Sequence, residues 1–307
     1  MGKRRKRGGP AWALVAAGFA AGVLLVIALI SYMGFERKET VRPSPKAPAP
    51  QVAAPQPLSP APTPAPSPAP TDEKPLFPER TPPGKRITPP KPRLAIVIDD
   101  MGPDIRKLRE IISIGEPVTI AVMPNMRYSK EVSKEASKSG FDVIVHMPME
   151  PKDPEGHNPG DALLVAMTPE EISAKMEEGL KTVPDAIGLN NHMGSKFTES
   201  IEAMRTVLKL VKKKEMLFLD SRTSSDTVGR KVARELKVRN AERNVFLDNT
   251  RDVQYIKNQL VKAARIAKKR GKAVAIGHPY PETIKALAEA LPELDGVELV
   301  PISEIAE

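Results

Sequence analysis

The chain has 307 residues and no cysteine, which excludes disulfides and thiolate metal sites. Its formal charge of +9 is unevenly placed: residues 1–10 carry +5, residues 35–93 another +5, and residues 94–307 carry −1. A nearly neutral 94–307 region and only 4% aromatic residues supply neither a phosphate-tracking stripe nor a base-stacking surface, so no nucleic-acid partner is expected.

The chain opens with a basic tail, 1–10, containing Lys3, Arg4, Arg5, Lys6 and Arg7. Residues 11–33, AWALVAAGFAAGVLLVIALISYM, carry no charge. As a helix they would extend roughly 35 Å, enough to cross a bilayer core. The basic residues before them place the N-terminus in the cytoplasm. A cleaved signal peptide would share this basic start, but its apolar core is about 7–15 residues long. The expectation is therefore an uncleaved single-pass anchor in the inner (cytoplasmic) membrane, with the rest of the chain extracytoplasmic, on the periplasmic side.

A proline-rich tether, 34–92, follows, and 19 of the chain's 33 prolines fall in 41–92. Proline fixes φ and removes backbone donors, so polyproline II at about 3.1 Å per residue is expected, with a reach of roughly 150 Å.

From 93 to 307 strand and helix signals alternate. LAIVI (94–98), PVTIAVM (117–123), FDVIV (141–145), AIGLN (186–190), MLFLD (216–220), NVFLD (244–248), AVAIG (273–277) and GVELV (296–300) read as strands. Helical patterns fill 104–114, 126–139, 168–182, 199–213, 226–237, 252–270 and 281–290. Gly115 and Gly140 stand as C-terminal caps, and Thr168-Pro169-Glu170-Glu171 is a capping box. This is the pattern of a (β/α) barrel or an open doubly wound sheet. No GxGxxG follows the first strand and no GxxxxGK[ST] occurs, so nucleotide-binding fingerprints are missing. A long loop, 147–167, directly follows His146.

Three of the chain's four histidines end apolar strands. With Asp99, Asp100 and Glu150 they belong to the segments LAIVIDD, FDVIVHMPME, AIGLNNHMGS and AVAIGHPYP. In a parallel α/β protein the C-terminal strand ends open on one face. Asp99, Asp100, His146, Glu150, His192 and His278 then form the inventory of a single-metal hydrolase. Of the paired aspartates, one can bind a cation while the other accepts a proton. Successive strand residues point to opposite faces, so a turn must bring both into one cleft. His146 and Glu150, four apart in an extended segment, could reach one ion. Asn190, Asn191 and Ser195 make a polar stop to their strand, and Asp220 and Asp248 end two others. Asp220 with Arg222 could orient a ligand or a neighbouring histidine; a helix cap or buried ion pair is the alternative for either aspartate.

The series VIDDMG, HMPMEP, NNHMGSKFT, FLDSRTSSDTVG and AIGHPYP, in this order, resembles the divergent polysaccharide deacetylases, distant relatives of the NodB-homology deacetylases. The resemblance spans nearly all of 93–307. It implies a distorted (β/α) barrel of about seven strands and hydrolysis of N-acetyl groups on a cell-wall or other envelope glycan. It implies a divalent, zinc-type ion held by Asp100, His146 and His192, with Glu150 replacing or supporting a ligand. Asp99 would be the catalytic base and His278 the general acid; the polar strand-end residues Asn191, Ser195, Asp220 and Arg222 are the expected substrate-binding groups. Glu150 stands where the NodB pattern has a second metal histidine, the RxPY motif is absent, and the only tryptophan is Trp12. The rival reading is a catalytically inactive, envelope-tethered binding or regulatory module with an envelope protein partner.

Overall fold

The computed structural model describes residues 90–153 and 161–307. The expected tail, the membrane span and all but the last three residues of the tether lie outside them, as does His157. Among the described residues no helix is long and apolar enough to cross a membrane.

Strands and helices alternate as β1 (Arg93–Met101), α1 (Ile105–Ile112), β2 (Thr119–Val122), α2 (Ser129–Lys138), β3 (Asp142–Met149) and α3 (Pro169–Thr182). They continue as β4 (Gly188–Met193), α4 (Ile201–Lys213), β5 (Leu217–Asp220), α5 (Gly229–Glu235), β6 (Asn240–Glu242) and β7 (Val245–Phe246). The last elements are α6 (Val253–Arg270), β8 (Lys272–Gly277), α7 (Pro281–Ala290) and β9 (Glu298–Leu299). Local chemistry sets several boundaries. The Thr168–Glu171 capping box forms, with Pro169 at the first helical turn of α3. The Asp252 side chain caps α6, and Gly271 ends it in the left-handed region at φ 83°.

Every strand pair in the sheet is parallel, in the order β6-β5-β4-β3-β2-β1-β8-β7. The two edges of this path are β6 and β7, which only Arg243 and Asn244 separate. One extended segment thus pairs with β5 through its first half and with β8 through its second. The sheet curls onto itself, as in a (β/α) barrel and unlike an open doubly wound sheet. Counted once, that segment makes a circuit of seven strands, and β9 lies beside the start of β1. The sequence pattern missed β6, because Asn240-Ala241-Glu242 contains no apolar run. The expected helix at 226–237 shortens to Gly229–Glu235, and the expected strand at 296–300 to two residues.

Strand alternation divides the core in two. Leu94, Ile96 and Ile98 of β1 join the layer between sheet and helices. Ala95 and Val97 join an inner cluster with Ala121, Ile144, Leu219 and Ile276. Val300, Ile302, Ile305 and Ala306 from the C-terminal segment belong to the same inner cluster. That segment bonds to the strand starts, with Ile302 N–H donating to Thr119 Oγ1 and Ser303 N–H to Asp142. It plugs the end of the barrel where the strands begin. Gly188 sits on the inner wall, where a β-carbon would lie 2.6 Å from Leu217.

Two substitutions test this packing by denaturant unfolding. Ile302→Ala should lose about 2–5 kcal/mol of stability by opening the plug. Gly188→Ala should lose about 1–3 kcal/mol by overpacking the wall.

Candidate functional site

The inward parity of each strand continues past the apolar interior into polar groups at the strand ends. On β1 it runs Ala95, Val97, Asp99; on β3, Ile144, His146; on β4, Gly188, Asn190, His192. On β8 it runs Val274, Ile276 and then, one residue beyond the strand, His278. Asp100 would face outward by this count. Instead the β1–β2 register slips between Ile98 and Met101, and Asp100 adopts φ 56°. The left-handed backbone, which aspartate tolerates better than most residues, returns its carboxylate to the interior.

Asp100, His146 and His192 converge, each offering a ligand atom within 4.8 Å of the others. His146 Nε2 lies 3.2 Å from Asp100 Oδ1 and 3.2 Å from His192 Nδ1, and His192 Nδ1 lies 3.1 Å from Asp100 Oδ1. Donors about 2.0–2.1 Å from a tetrahedral zinc-type ion stand roughly 3.3 Å apart, so the triangle has the right size. The buried Asp100 Oδ1 has no hydrogen-bond partner. His146 is nearly fully buried, and its Nδ1 donates to Asn190 Oδ1 at 2.8 Å, which leaves the Nε2 lone pair facing the aspartate oxygen. Lone pairs converging in a buried space require a proton or a cation between them. Burial depresses the basicity of His146, but the neighbouring Asp99 and Asp100 outweigh it and push its pKa up to about 9. Burial raises the Asp100 carboxyl, yet the adjacent His146 and His192 rings hold it well below the carboxylate range. The donor set therefore fits a divalent cation.

Asp99 is buried beside this triangle, with Oδ2 3.5 Å from His146 Nε2 and Oδ1 accepting from Asn190 Nδ2 at 2.8 Å. Burial pushes its carboxyl pKa upward, against the opposing pull of His146, His278 and the Asn190 bond. His278 closes the other side, its Nε2 3.8 Å from Asp100 Oδ2. Asp248 fixes its orientation: Oδ1 lies 3.0 Å from His278 Nδ1, and Oδ2 accepts from His278 N–H and Thr283 Oγ1. Burial lowers the His278 pKa, but the bond to Asp248 and the charges of Asp248, Asp100 and Asp99 raise it overall. Asp248 faces inward because the Arg243–Asn244 step reverses the alternation: Ala241 joins the inner cluster and Val245 the outer. The same reversal sets Phe246 beside His278 at a centroid distance of 5.3 Å, and Tyr280 also lies beside the imidazole, at 5.4 Å.

Glu150 does not join the triangle, contrary to the expected ligand set. β3 ends at Met149, and the Glu150 carboxylate pairs with Lys196 at 2.5 Å and accepts from Val165 N–H. It anchors the returning end of the long loop. The four residues expected at the substrate also have internal partners. Buried Asn191 accepts from Ser221 N–H and donates to Met193 O and Thr223. Ser195 Oγ accepts from Lys152 N–H, and Arg222 pairs with Glu242. Asp220 is buried and accepts from Arg222 N–H and Thr227, the capping alternative noted for it. These groups hold the strand-end loops in place.

Two residues of the centre were not singled out for a role from sequence. Asn190 is fully buried and also donates to Ser221 Oγ at 3.2 Å. It stands two residues before His192, so strand parity alone places it on the inner wall. Arg243 donates to the carbonyls of Ser221 and Arg222, and its position in a run without an apolar pattern hid it. Asn190→Ala removes the buried hydrogen bonds to Asp99 Oδ1 and His146 Nδ1. It should cost about 1–3 kcal/mol in denaturant unfolding for each group left unsatisfied.

The divergent polysaccharide deacetylase family matches residues 96–306. An uncharacterized protein of Haemophilus influenzae is 35% identical over 209 residues, 68% of this chain and 74% of that protein. Escherichia coli YibQ, also uncharacterized, is 34% identical over 199 residues, which cover 64% of this chain and 61% of YibQ. The fold is shared with an uncharacterized Agrobacterium tumefaciens protein, ATU2773, at a TM-score of 0.67 and 24% identity over 70% of this chain and 89% of the other. With the family match running from β1 to the C-terminal plug, the chain belongs to the divergent polysaccharide deacetylases.

Proposed function

We propose that the chain is a membrane-tethered, metal-dependent hydrolase that removes N-acetyl groups from an envelope glycan. The observation that carries this reading is the convergence of Asp100, His146 and His192 around an unpartnered carboxylate oxygen, with Asp99 and His278 on either side. A zinc-type ion held by these three groups would supply a Lewis acid for an amide carbonyl and would lower the pKa of water to about 7.

The chain's own residues then divide the proton transfers. Asp99 takes a proton from the water that attacks the acetamide carbonyl, and its upward-shifted pKa makes it a stronger base than an ordinary carboxylate. His278 gives a proton to the amine nitrogen as the C–N bond breaks, which releases acetate and a free amino sugar. Asp248 holds the His278 Nδ1 proton, so Nε2 is the nitrogen that faces the site. Asn190 keeps Asp99 and His146 in register.

The inactive-scaffold reading draws on Glu150, which stands outside the donor triangle. Three protein ligands, however, are the usual number for a catalytic zinc and leave a position open. Glu150 is therefore dispensable as a ligand on this account.

Metal content and acetate release from N-acetylated glycan fragments separate the roles. His146→Ala should lose both metal and activity, and Glu150→Gln should keep the metal. Asp99→Asn should keep the metal and release no acetate. His278→Ala should keep the metal and slow release by roughly 10²–10⁴-fold. Wild-type protein that binds metal but deacetylates no envelope glycan would leave only the scaffold reading.

The pH profile tests Asp248. The pKa of His278 is raised, so its proton, and the stability this pairing contributes, are fully present below the usual 6.5 and lost as pH rises through the raised value. Asp248→Asn removes the main raising cause. The alkaline limb of acetate release should move to lower pH; an unmoved limb would count against His278 as the acid.

The tethering rests on the uncharged 11–33 segment behind its basic tail. A C-terminal reporter that works only in the cytoplasm should be silent, and strong activity there would reject the topology.

A further inference from the structure

The opposite end of the barrel carries a cleft that the hydrolytic reading does not use. It has a volume of about 600 Å³ and lies where β6 and β8 part, beside the C-terminal segment. Six cations line it: Arg230 and Arg234 of α5, Lys237 and Arg239 before β6, Arg270 at the end of α6, and Lys272 at the start of β8. The lining holds only two acidic side chains, and both are already engaged. Glu242 is shared by Arg222 and Arg230, and Glu307 pairs with Lys272. Arg239 donates to the carbonyls of Ser303 and Ala306. Arg234, Lys237 and Arg270 remain exposed, and their side chains have no partner among the described residues.

A cation in the last turn of a helix complements the helix dipole, and that accounts for Arg234 and Arg270 taken singly. It does not account for Lys237 or Lys272, which lie outside helices, or for the convergence of all six on one concavity. Residues 94–307 carry a net charge of −1, so this positive lining is a local concentration. Cations around a concave surface focus the field and draw in anions. Guanidinium forks match the paired oxygens of a phosphate group, and a lysine adds a point charge.

We propose that this cleft binds a phosphate-bearing ligand, with Arg234, Lys237 and Arg270 as the charges that receive it. Two sources offer this chemistry, a soluble phosphorylated compound and an anionic lipid headgroup. β1 enters the barrel at this same end, where Arg93 stands opposite Lys272 in the backbone ladder of β1 and β8. The proposal is independent of the hydrolytic site.

The test is calorimetric titration of the full chain in non-ionic detergent with inorganic pyrophosphate and, separately, with monomeric six-carbon-chain phosphatidic acid. Saturable binding of at least one probe is expected, and the tighter probe names the source. The triple variant Arg234→Gln, Lys237→Gln, Arg270→Gln should weaken it at least about tenfold, with an unchanged melting temperature. Each single variant should weaken it in the same direction, which keeps the test valid if the triple variant melts early. His146→Ala should bind the probe as the wild type does, since the donor triangle is not the receptor. Failure of both probes to bind at millimolar concentration, or undiminished binding by the charge variants, would overturn the proposal, as would loss of binding in His146→Ala.

Discussion

The side-chain amide of Asn190 donates to Asp99 through its nitrogen and accepts from His146 through its oxygen, and the arrangement of the centre depends on that bridge. An amide has one donor end and one acceptor end, so it fixes two different neighbours at once. Asp99 is held with one oxygen occupied and the other near the donor triangle. His146 is held with Nδ1 occupied and Nε2 turned inward. Because all three groups are buried, water cannot substitute for a missing bond, and the bridge sets orientation as well as stability.

Two of the three inward-facing histidines, His146 and His278, share one design with a different charge behind the ring. His146 leans on a neutral amide and His278 on the carboxylate of Asp248. A neutral acceptor fixes the tautomer of a ring that can serve as a ligand through its lone pair. A carboxylate stabilises the protonated ring, which is the state a proton donor needs. Without a cation, the aspartates beside His146 favour the protonated ring, against the burial that opposes it. The left-handed turn at Asp100 belongs to the same logic. A residue held there costs of order 1–3 kcal/mol, and it persists where surrounding structure over-determines it.

The two ends of the barrel do different work. Where the strands end, polar groups replace the apolar interior and the strand-end loops brace one another through Asn191, Ser195, Asp220 and Glu150. Where the strands begin, the C-terminal segment fills the interior with Val300, Ile302 and Ile305. That division follows the general behaviour of parallel barrels, in which chemistry gathers at the C-terminal strand ends and packing at the other. The seam at Arg243–Asn244 links the two. By reversing the alternation it lets one segment close the sheet and also turn Phe246 and Asp248 toward His278.

Much of this was legible in the residues alone. Apolar runs ending in Asp99, His146, His192 and His278 mark strand ends, because burial and alternation are local properties of a strand. The order of the motifs was enough to identify the family, and two-residue parity from His192 reaches Asn190. Other features depended on tertiary structure. Which residue pairs with Asp99, whether Glu150 reaches the triangle, and whether Asp248 meets His278 are contacts between distant elements. Glu150 shares parity with His146, yet its strand ends first and Lys196 captures it. Asp100 has the wrong parity, yet a bulge and a left-handed turn bring it in. Alternation fixes a side chain's direction only while the strand stays regular. The site is built where the strands stop being regular, so its final membership was decided by the closed sheet.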